Sequence, residues 1–206
     1  MLVRLNRSLV YGIRAMAWPA LGPHVPKSSN PITRGLGRLV LRLMGWRMTG
    51  PWPDEPKLIV VLAPHSSNID FILSVAVFWG LGLKTSYLAK HSLFRFPLGP
   101  IMRGLGGIPV DRRAPQGMVG QLLTQFSSRE QLVVGITPEG TRGEVREWKS
   151  GFARIAVEGN IPVLPAIVNY SERMIYFQPV IKDIPVADDV LQATKNAASV
   201  GSPRIP

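Results

Sequence analysis

Two side chains near position 65 could together move a proton. His65 and Asp70 are separated by Ser-Ser-Asn-Ile. On one continuous helix this spacing of five corresponds to about 140° of rotation, so the two side chains would not meet. They can meet if His65 lies in a loop and Asp70 in the first helical turn, where the helix dipole favours an ionised carboxylate. Such a carboxylate orients the imidazole as a general base. The alternative is a purely structural hydrogen bond.

The sequence offers no obvious nucleophile for this base. It has no cysteine and no Gly-x-Ser-x-Gly turn, and the two serines after His65 are better suited to capping the next helix. We therefore predict that His65 takes a proton from a substrate hydroxyl. This hydroxyl would attack an activated acyl group directly, so that no acyl-enzyme forms. A positioned general base contributes roughly 10²–10⁴-fold to a rate. With no cysteine and three histidines, no metal site is predicted.

Two arginines follow other predicted strands and would suit a phosphate. Arg112 comes directly after Asp111, and Arg142 ends the segment Pro-Glu-Gly-Thr-Arg. Arginine donates bidentately to phosphate and keeps its charge, so the pair predicts a phosphate anchor at adjacent strand ends. Glu139 could accept a hydrogen bond from an acceptor hydroxyl or hold an arginine in place. The competing interpretation is a surface salt-bridge cluster.

The elements that must position these residues alternate from residue 56 onward. Strands are predicted at 58–63, 85–89, 108–111, 132–136 and 161–168, with an added edge strand at 174–179. Helices are predicted at 68–78, 93–103, 117–128 and 151–158, and the tail from 193 is expected to fray. This order predicts an α/β fold with a mostly parallel central sheet flanked by helices. Because ligands bind beyond the carboxyl ends of such strands, the polar segments should share one rim.

Positive charge is concentrated at the start of the chain. The formal net charge is +11, and residues 1–53 contain eight Lys or Arg and no Asp or Glu. Apolar residues recur at helical spacing within 2–16 and 36–44, with arginines on another face and with Trp18 and Trp46 nearby. We predict that residues 1–50 form two basic amphipathic helices that dock on an anionic membrane surface, and that residues 51–206 form the α/β domain. Two helices packed on the domain with a solvated basic rim are the alternative.

No segment of the sequence is suited to crossing a bilayer. The longest uncharged apolar run, 71–83, has thirteen residues, whereas a spanning helix needs about 20. A signal peptide is not predicted either, because Arg14 interrupts the apolar segment. The expectation is a peripheral, monotopic protein on the cytoplasmic face of the membrane.

Four segments resemble the motifs of one known family. His65-Ser-Ser-Asn-Ile-Asp70 resembles the His-x₄-Asp motif of the glycerolipid acyltransferases, the 1-acylglycerol-3-phosphate acyltransferase family. The segments 106–112, 138–142 and 161–165 resemble the second, third and fourth motifs in the same order, and Lys90 and the stretches 93–99 and 148–152 also resemble members of this group. The resemblance covers about residues 57–170. Four ordered motifs are far more specific than His-x₄-Asp alone.

The resemblance implies an activity and a set of site residues. A fatty acyl chain would pass from acyl-CoA or acyl carrier protein to a hydroxyl of a lysophospholipid, by default lysophosphatidic acid, giving phosphatidic acid without a cofactor. His65 and Asp70 would be catalytic. Substrate-binding residues would be Arg112, Glu139, Gly140, Thr141 and Arg142, and further candidate contacts to acceptor or donor are Lys90, Asp111 and Pro162.

Departures from the family pattern leave the acceptor open. They occur where Ile108, Pro109, Thr137 and Gly143 stand. A non-glycerophosphate lysolipid, such as an amino-acid-containing lipid, is therefore an alternative acceptor. A hydrolase using the same pair on water is a second alternative, and a non-enzymatic basic protein that binds a membrane or nucleic acid is a third. Nucleic acid is not an expected partner, because the sequence has no RNA-recognition signature and no zinc site.

Overall fold

Residues 18–64, 69–111, 117–139, 147–199 and 201 are described in the computed structural model of the protein. In these residues the strands are β1 (Arg47–Thr49), β2 (Lys57–Ala63), β3 (Thr85–Lys90), β4 (Gly107–Val110), β5 (Leu132–Ile136), β6 (Val163–Asn169) and β7 (Met174–Phe177). The α-helices are α1 (Pro31–Leu43), α2 (Ile69–Leu81), α3 (Leu98–Gly104), α4 (Gly117–Ser127), α5 (Gly151–Gly159) and α6 (Ala187–Ala198). A 3₁₀ turn at His91–Phe94 lies between β3 and α3.

The strands form one mostly parallel sheet in the order β1-β7-β6-β2-β5-β3-β4. The β6–β7 pair is antiparallel, and the other pairs are parallel. The central strands β2 and β6 are apolar and buried almost throughout, as expected for strands covered on both faces. The predicted α/β fold with a mostly parallel sheet flanked by helices is confirmed.

Two layers of helices cover the faces of the sheet. Along β2, Leu58 and Val60 point into a core shared with α1 and α2, whereas Ile59 and Val61 point into a core shared with α4, α5 and α6. The helix α3 joins the first layer, because its Met102 contacts Tyr87, whose ring also packs on α2. We call α1, α2, the 3₁₀ turn and α3 the α1–α3 layer. The alternation of apolar residues along β2 thus divides the interior into two cores.

Three elements differ from the sequence prediction. The single helix predicted at 93–103 is a 3₁₀ turn followed by α3, because Pro97 disfavours helical backbone in the residue before it. The strand predicted at the edge of the sheet, β7, lies inside it, because β1 pairs with its outer side. The tail expected to fray from 193 continues as α6 to Ala198, held by the fully buried Thr194, whose hydroxyl donates to the carbonyl of Val190 at 2.7 Å.

The first of the two predicted basic helices lies outside the described residues, and the second is α1. The side chain of Asn30 caps α1 by accepting from the backbone N–H of Ile32 at 2.9 Å. The helix packs on α2 through Gly37 and Leu41, which are both buried. Trp46 was expected at a membrane interface, and this is wrong: it is 4% exposed, because β1 begins at the next residue and brings it under the core. No helix among the described residues is long and apolar enough to span a bilayer.

Two glycines of α1 give a matched test of its packing. A Cβ on Gly37 would stand 2.5 Å from the carbonyl oxygen of Ala76 and 2.6 Å from the backbone nitrogen of Gly80, whereas a Cβ on Gly35 would meet nothing within 4 Å. We expect Gly37→Ala to lower the free energy of unfolding by about 1–3 kcal/mol through overpacking. Gly35→Ala should raise it by about 0.5–1 kcal/mol through helix propensity. Urea denaturation measures both, and equal effects of the two variants would contradict this packing of α1.

Candidate active site

The carboxyl ends of five strands meet along one edge of the sheet. In the observed strand order, this edge presents Tyr170 after β6, Asp70 after β2, Glu139 after β5, Lys90 at the end of β3 and Asp111 after β4. The residues come from segments far apart in the chain, but neighbouring strands are only about 4.8 Å apart. The structure therefore brings four residues singled out in the sequence, Lys90, Asp70, Asp111 and Glu139, to one rim.

Asp70 follows β2, the central strand of the seven-stranded sheet. It occupies the first turn of α2, as predicted, and is only 5% exposed. The Tyr170 hydroxyl donates a hydrogen bond to its Oδ1 atom, and the Ser74 hydroxyl donates to its backbone carbonyl at 2.6 Å. The helix N-terminus and the phenol both favour the ionised carboxylate. His65 and the three residues after it lie outside the described residues.

Tyr170 is a residue of this site that the motif analysis missed. Leu164, Ala166 and Val168 of β6 face the core on the α2 side, and Tyr170 continues this alternation toward α2. Its ring packs edge-on against Trp46, with the ring centroids 5.0 Å apart. Tyr170 stands outside all four motifs, but it lies two residues beyond the strand predicted at 161–168. The rule that ligands bind just beyond strand ends could have found it.

Glu139 follows the strand next to β2. It follows β5, which pairs with β2 in parallel, and is 7% exposed. The loop that carries it is held by the backbone N–H of Lys149, which donates to the carbonyl of Pro138 at 2.9 Å. A carboxylate this buried needs polar partners within the protein. It is therefore not part of a solvated surface salt-bridge cluster, the competing interpretation of this segment.

The strand ends that carry the two arginines are not adjacent, and this corrects the sequence analysis. Arg112, Gly140, Thr141 and Arg142 lie outside the described residues, but β4 and β5 precede the two arginines, and β3 lies between these strands. The strands are therefore about 10 Å apart, twice the usual spacing. The approach to Arg112 is held by Gln121, whose side chain bonds the backbone N–H of Asp111 at 3.1 Å and its carbonyl at 2.8 Å.

Lys90 lies at the carboxyl ends of the parallel strands, and Pro162 lies at their amino ends. Lys90 is exposed at the carboxyl end of β3, on the candidate site's edge. Pro162 stands before β6 at the amino edge, where its carbonyl accepts from the backbone N–H of Ile59 at 3.0 Å. It lines a groove of about 1130 Å³ there. The length of β6, about 23 Å, therefore separates Pro162 from the candidate site, and its contact with an acceptor or donor stays a prediction.

Metal ligands are not grouped in the part of the chain that the structure describes. Among those residues, no three histidine, aspartate or glutamate side chains lie close enough to hold a metal ion. What the described part of the rim provides is two buried carboxylates, those of Asp70 and Glu139, which follow the neighbouring strands β2 and β5.

Comparisons with known proteins identify the family. Residues 51–169, more than half of the chain, match the family model described as Acyltransferase. The crystal structure of the 1-acyl-sn-glycerophosphate (LPA) acyltransferase PlsC from Thermotoga maritima is similar, with a TM-score of 0.62 and 16% sequence identity, over 82% of this chain and 76% of that chain. At this identity, the similarity shows the fold alone. No curated protein matches the chain. The match over the segment that contains Asp70 and Glu139 shows that the chain belongs to the acyltransferase family.

Proposed function

We propose that the protein transfers a fatty acyl chain from acyl-CoA or acyl carrier protein to a hydroxyl of a lysophospholipid, with lysophosphatidic acid as the default acceptor and phosphatidic acid as the product. The observation that carries the proposal is the buried Asp70, which lies in the first turn of α2 and follows His65 by five positions in the sequence. The family match supports acyl transfer. The similar fold of an LPA acyltransferase supports the default acceptor.

The proposed reaction needs no cofactor and no acyl-enzyme. His65 accepts the proton of the acceptor hydroxyl as the oxygen attacks the thioester carbonyl. The carbon–sulfur bond then breaks, and the thiolate leaves with the proton that the imidazolium returns. Asp70 stabilises the imidazolium between these two steps. Acyl ester and free thiol are the products, so atoms and charge balance.

A thiol-release assay tests this function. Acyl-CoA and acyl carrier protein thioesters are each incubated with the protein, with and without a panel of lysolipids that includes lysophosphatidic acid and amino-acid-containing lysolipids. Release that depends on a lysolipid supports the proposal and names the acceptor. Release without any acceptor would indicate a hydrolase. No release with any pair would contradict the enzymatic function and favour a non-enzymatic basic protein.

The proposed substrate-binding residues are Arg112, Glu139, Gly140, Thr141 and Arg142, and of these the two arginines and Glu139 are proposed to contact the phosphate or the acceptor. We expect Arg142→Ala to raise the KM for lysophosphatidic acid about 10-fold or more while kcat changes little, because a charge-assisted contact to phosphate is lost. Steady-state kinetics with each substrate varied in turn measures this. Arg129→Ala, an exposed arginine before β5 at the amino edge, is the control. An effect confined to the KM for the thioester would contradict the assignment.

We propose that the α1–α3 layer faces the membrane. Among the described residues, ten of the eleven exposed large hydrophobic side chains lie on this layer, and only Val186 lies elsewhere. Ile32, Leu36, Leu39 and Leu43 form one stripe along α1, and Ile32 and Leu43 are each 78% exposed. On the 3₁₀ turn–α3 segment, Phe96 is 91% exposed. Exposed apolar surface concentrated on one side supports an interaction surface rather than scattered surface residues.

The charge of this side supports an anionic lipid surface as the partner. Residues 18–110, which contain the whole layer, have ten Lys or Arg and three Asp or Glu, and one of the three acids is the buried Asp70. No acidic residue occurs from 71 to 110, where Lys84, Lys90, Arg95 and Arg103 are exposed. Each cation near an anionic bilayer adds about 1 kcal/mol of attraction. We therefore propose peripheral association with the cytoplasmic face.

Substitutions on α1 test the membrane surface better than a truncation would. Removing residues 1–50 would also delete β1, the buried Trp46 and the contact of Gly37 with α2. We expect Leu36→Gln combined with Leu43→Gln to weaken binding to phosphatidylcholine–phosphatidylglycerol vesicles at least about 10-fold, because two apolar side chains no longer insert. Co-sedimentation measures the loss. Val186→Gln should bind like wild type, and unchanged binding of the double variant would place the membrane surface elsewhere.

A further inference from the structure

We propose that Tyr170 is the positioning residue of the catalytic pair. Its hydroxyl would fix the carboxylate of Asp70 and thereby the orientation of His65. The inference rests on the proposed roles of His65 and Asp70. It adds a residue that lies outside all four motifs and 100 positions from Asp70 in the chain.

The Asp70 carboxylate accepts a hydrogen bond at Oδ1, and the backbone that carries it is fixed in α2. Its backbone is part of α2, where the Ser74 hydroxyl donates to the Asp70 carbonyl. Its Oδ1 accepts from the Tyr170 phenol. A carboxyl group whose Oδ1 is bound in this way cannot rotate freely about its terminal torsion, which is otherwise broad. The direction of Oδ2 is therefore set by Tyr170 together with the backbone of α2.

The phenol itself is held by a rigid support. The Tyr170 ring lies edge-on against the buried Trp46. The turn after it is closed by the side chain of Asn169, whose Oδ1 accepts from the Ser171 hydroxyl at 2.7 Å and from the backbone N–H of Glu172 at 3.0 Å. A residue that orients a catalytic group is effective only if its own side chain is fixed by packing and hydrogen bonds. A series of contacts thus leads from Trp46, just after α1, through Tyr170 to Asp70.

This arrangement predicts an effect on turnover rather than on substrate binding. A phenol that donates to a carboxylate favours its ionised form and fixes its orientation. The carboxylate in turn orients the imidazole and stabilises the imidazolium that forms when the imidazole accepts a proton. No part of this chain of contacts requires the acceptor or the thioester. Loss of the hydroxyl should therefore lower kcat and leave both KM values near those of wild type.

Kinetics of Tyr170→Phe test the proposal, with Tyr176→Phe as the matched control. Tyr176 also donates to a carboxylate, that of Glu172, but it lies on β7 beside Ile167. We expect Tyr170→Phe to lower kcat about 10-fold, with both KM values within about twofold, and Tyr176→Phe to change neither. In the Asp70→Asn background, Tyr170→Phe should cause no further loss, because residues that act as a unit are not additive. Equal kcat for Tyr170→Phe and wild type, or additive losses in the double variant, would overturn the proposal.

A second measurement does not depend on activity. The chain has three histidines, so ¹⁵N-imidazole spectra are simple, and the resonances absent from His65→Ala identify His65. Tyr170→Phe should shift the His65 resonances, and Tyr176→Phe should not. If Tyr170→Phe shifts the His65 resonances but the wild-type protein shows no acyl transfer with any substrate pair, the proposed function is contradicted. The coupling between Tyr170 and His65 is then still supported. An active wild type whose His65 resonances are unchanged by Tyr170→Phe would overturn the role of Tyr170 alone.

Discussion

His65→Ala should reduce acyl transfer by at least about 10²–10⁴-fold, because the substrate hydroxyl then has no general base. The effect should appear in kcat, measured as thiol release from the thioester in the presence of a saturating lysolipid. The variant should still bind anionic vesicles, because the α1–α3 layer that carries the exposed apolar residues is unchanged.

The matched control is His91→Ala. His91 is exposed at the start of the 3₁₀ turn that follows β3, and it carries no assigned role in catalysis. We expect turnover within about threefold of wild type for this variant, as is usual for a surface substitution with a small energetic effect. Turnover at the wild-type level in His65→Ala would contradict the mechanism even if acyl transfer itself is confirmed.

Asp70→Asn should lower kcat by about 10³-fold while the fold is retained. The amide can still accept a hydrogen bond from Tyr170, so the packing is preserved, but it carries no charge to stabilise the imidazolium and can support the wrong tautomer of His65. The first turn of α2 loses an interaction with the helix dipole of about 0.3–1 kcal/mol. Thermal denaturation and kcat measured on the same preparation separate these two effects.

A second aspartate in the same helical position serves as the control. Asp188 lies in the first turn of α6 and is exposed. Asp188→Asn loses the same kind of dipole interaction, so its stability should fall by a similar amount, and its kcat should stay near that of wild type. If both variants lose activity in proportion to stability, the role of Asp70 is structural and the catalytic pair is wrong.

Local features of the sequence determined the elements and part of the rim. The strand predicted at 132–136 is β5 to the residue, because an uninterrupted apolar run bounded by polar residues is encoded within one short window. The placement of Asp70 in a first helical turn followed from its spacing after His65 and from the capping residues between them. The four ordered motifs pointed to the acyltransferase family, and the family match over 51–169 confirms it.

Strand order was decided by the tertiary structure. The sequence alone did not place β3 between β4 and β5. The prediction that the two arginines follow adjacent strands was therefore wrong. The three-residue strand β1 has no periodic signal of its own and exists because it pairs with β7. Pro162 lies at the amino edge because β6 enters the sheet from that side. Each of these outcomes depends on pairing between distant segments, which a local window does not contain.

The same distinction applies to α1 and to the site. The sequence determined that α1 is amphipathic and basic, but only packing decided that Gly37 and Leu41 face α2 while Leu36, Leu39 and Leu43 remain exposed. Tyr170 and Asp70 meet across 100 residues because β6 lies beside β2 and its alternation directs the phenol toward α2. Residue type and spacing determined which side chains could do the chemistry. The order of strands in the sheet decided which of them lie together, because that order follows from burying every apolar face of the chain at once.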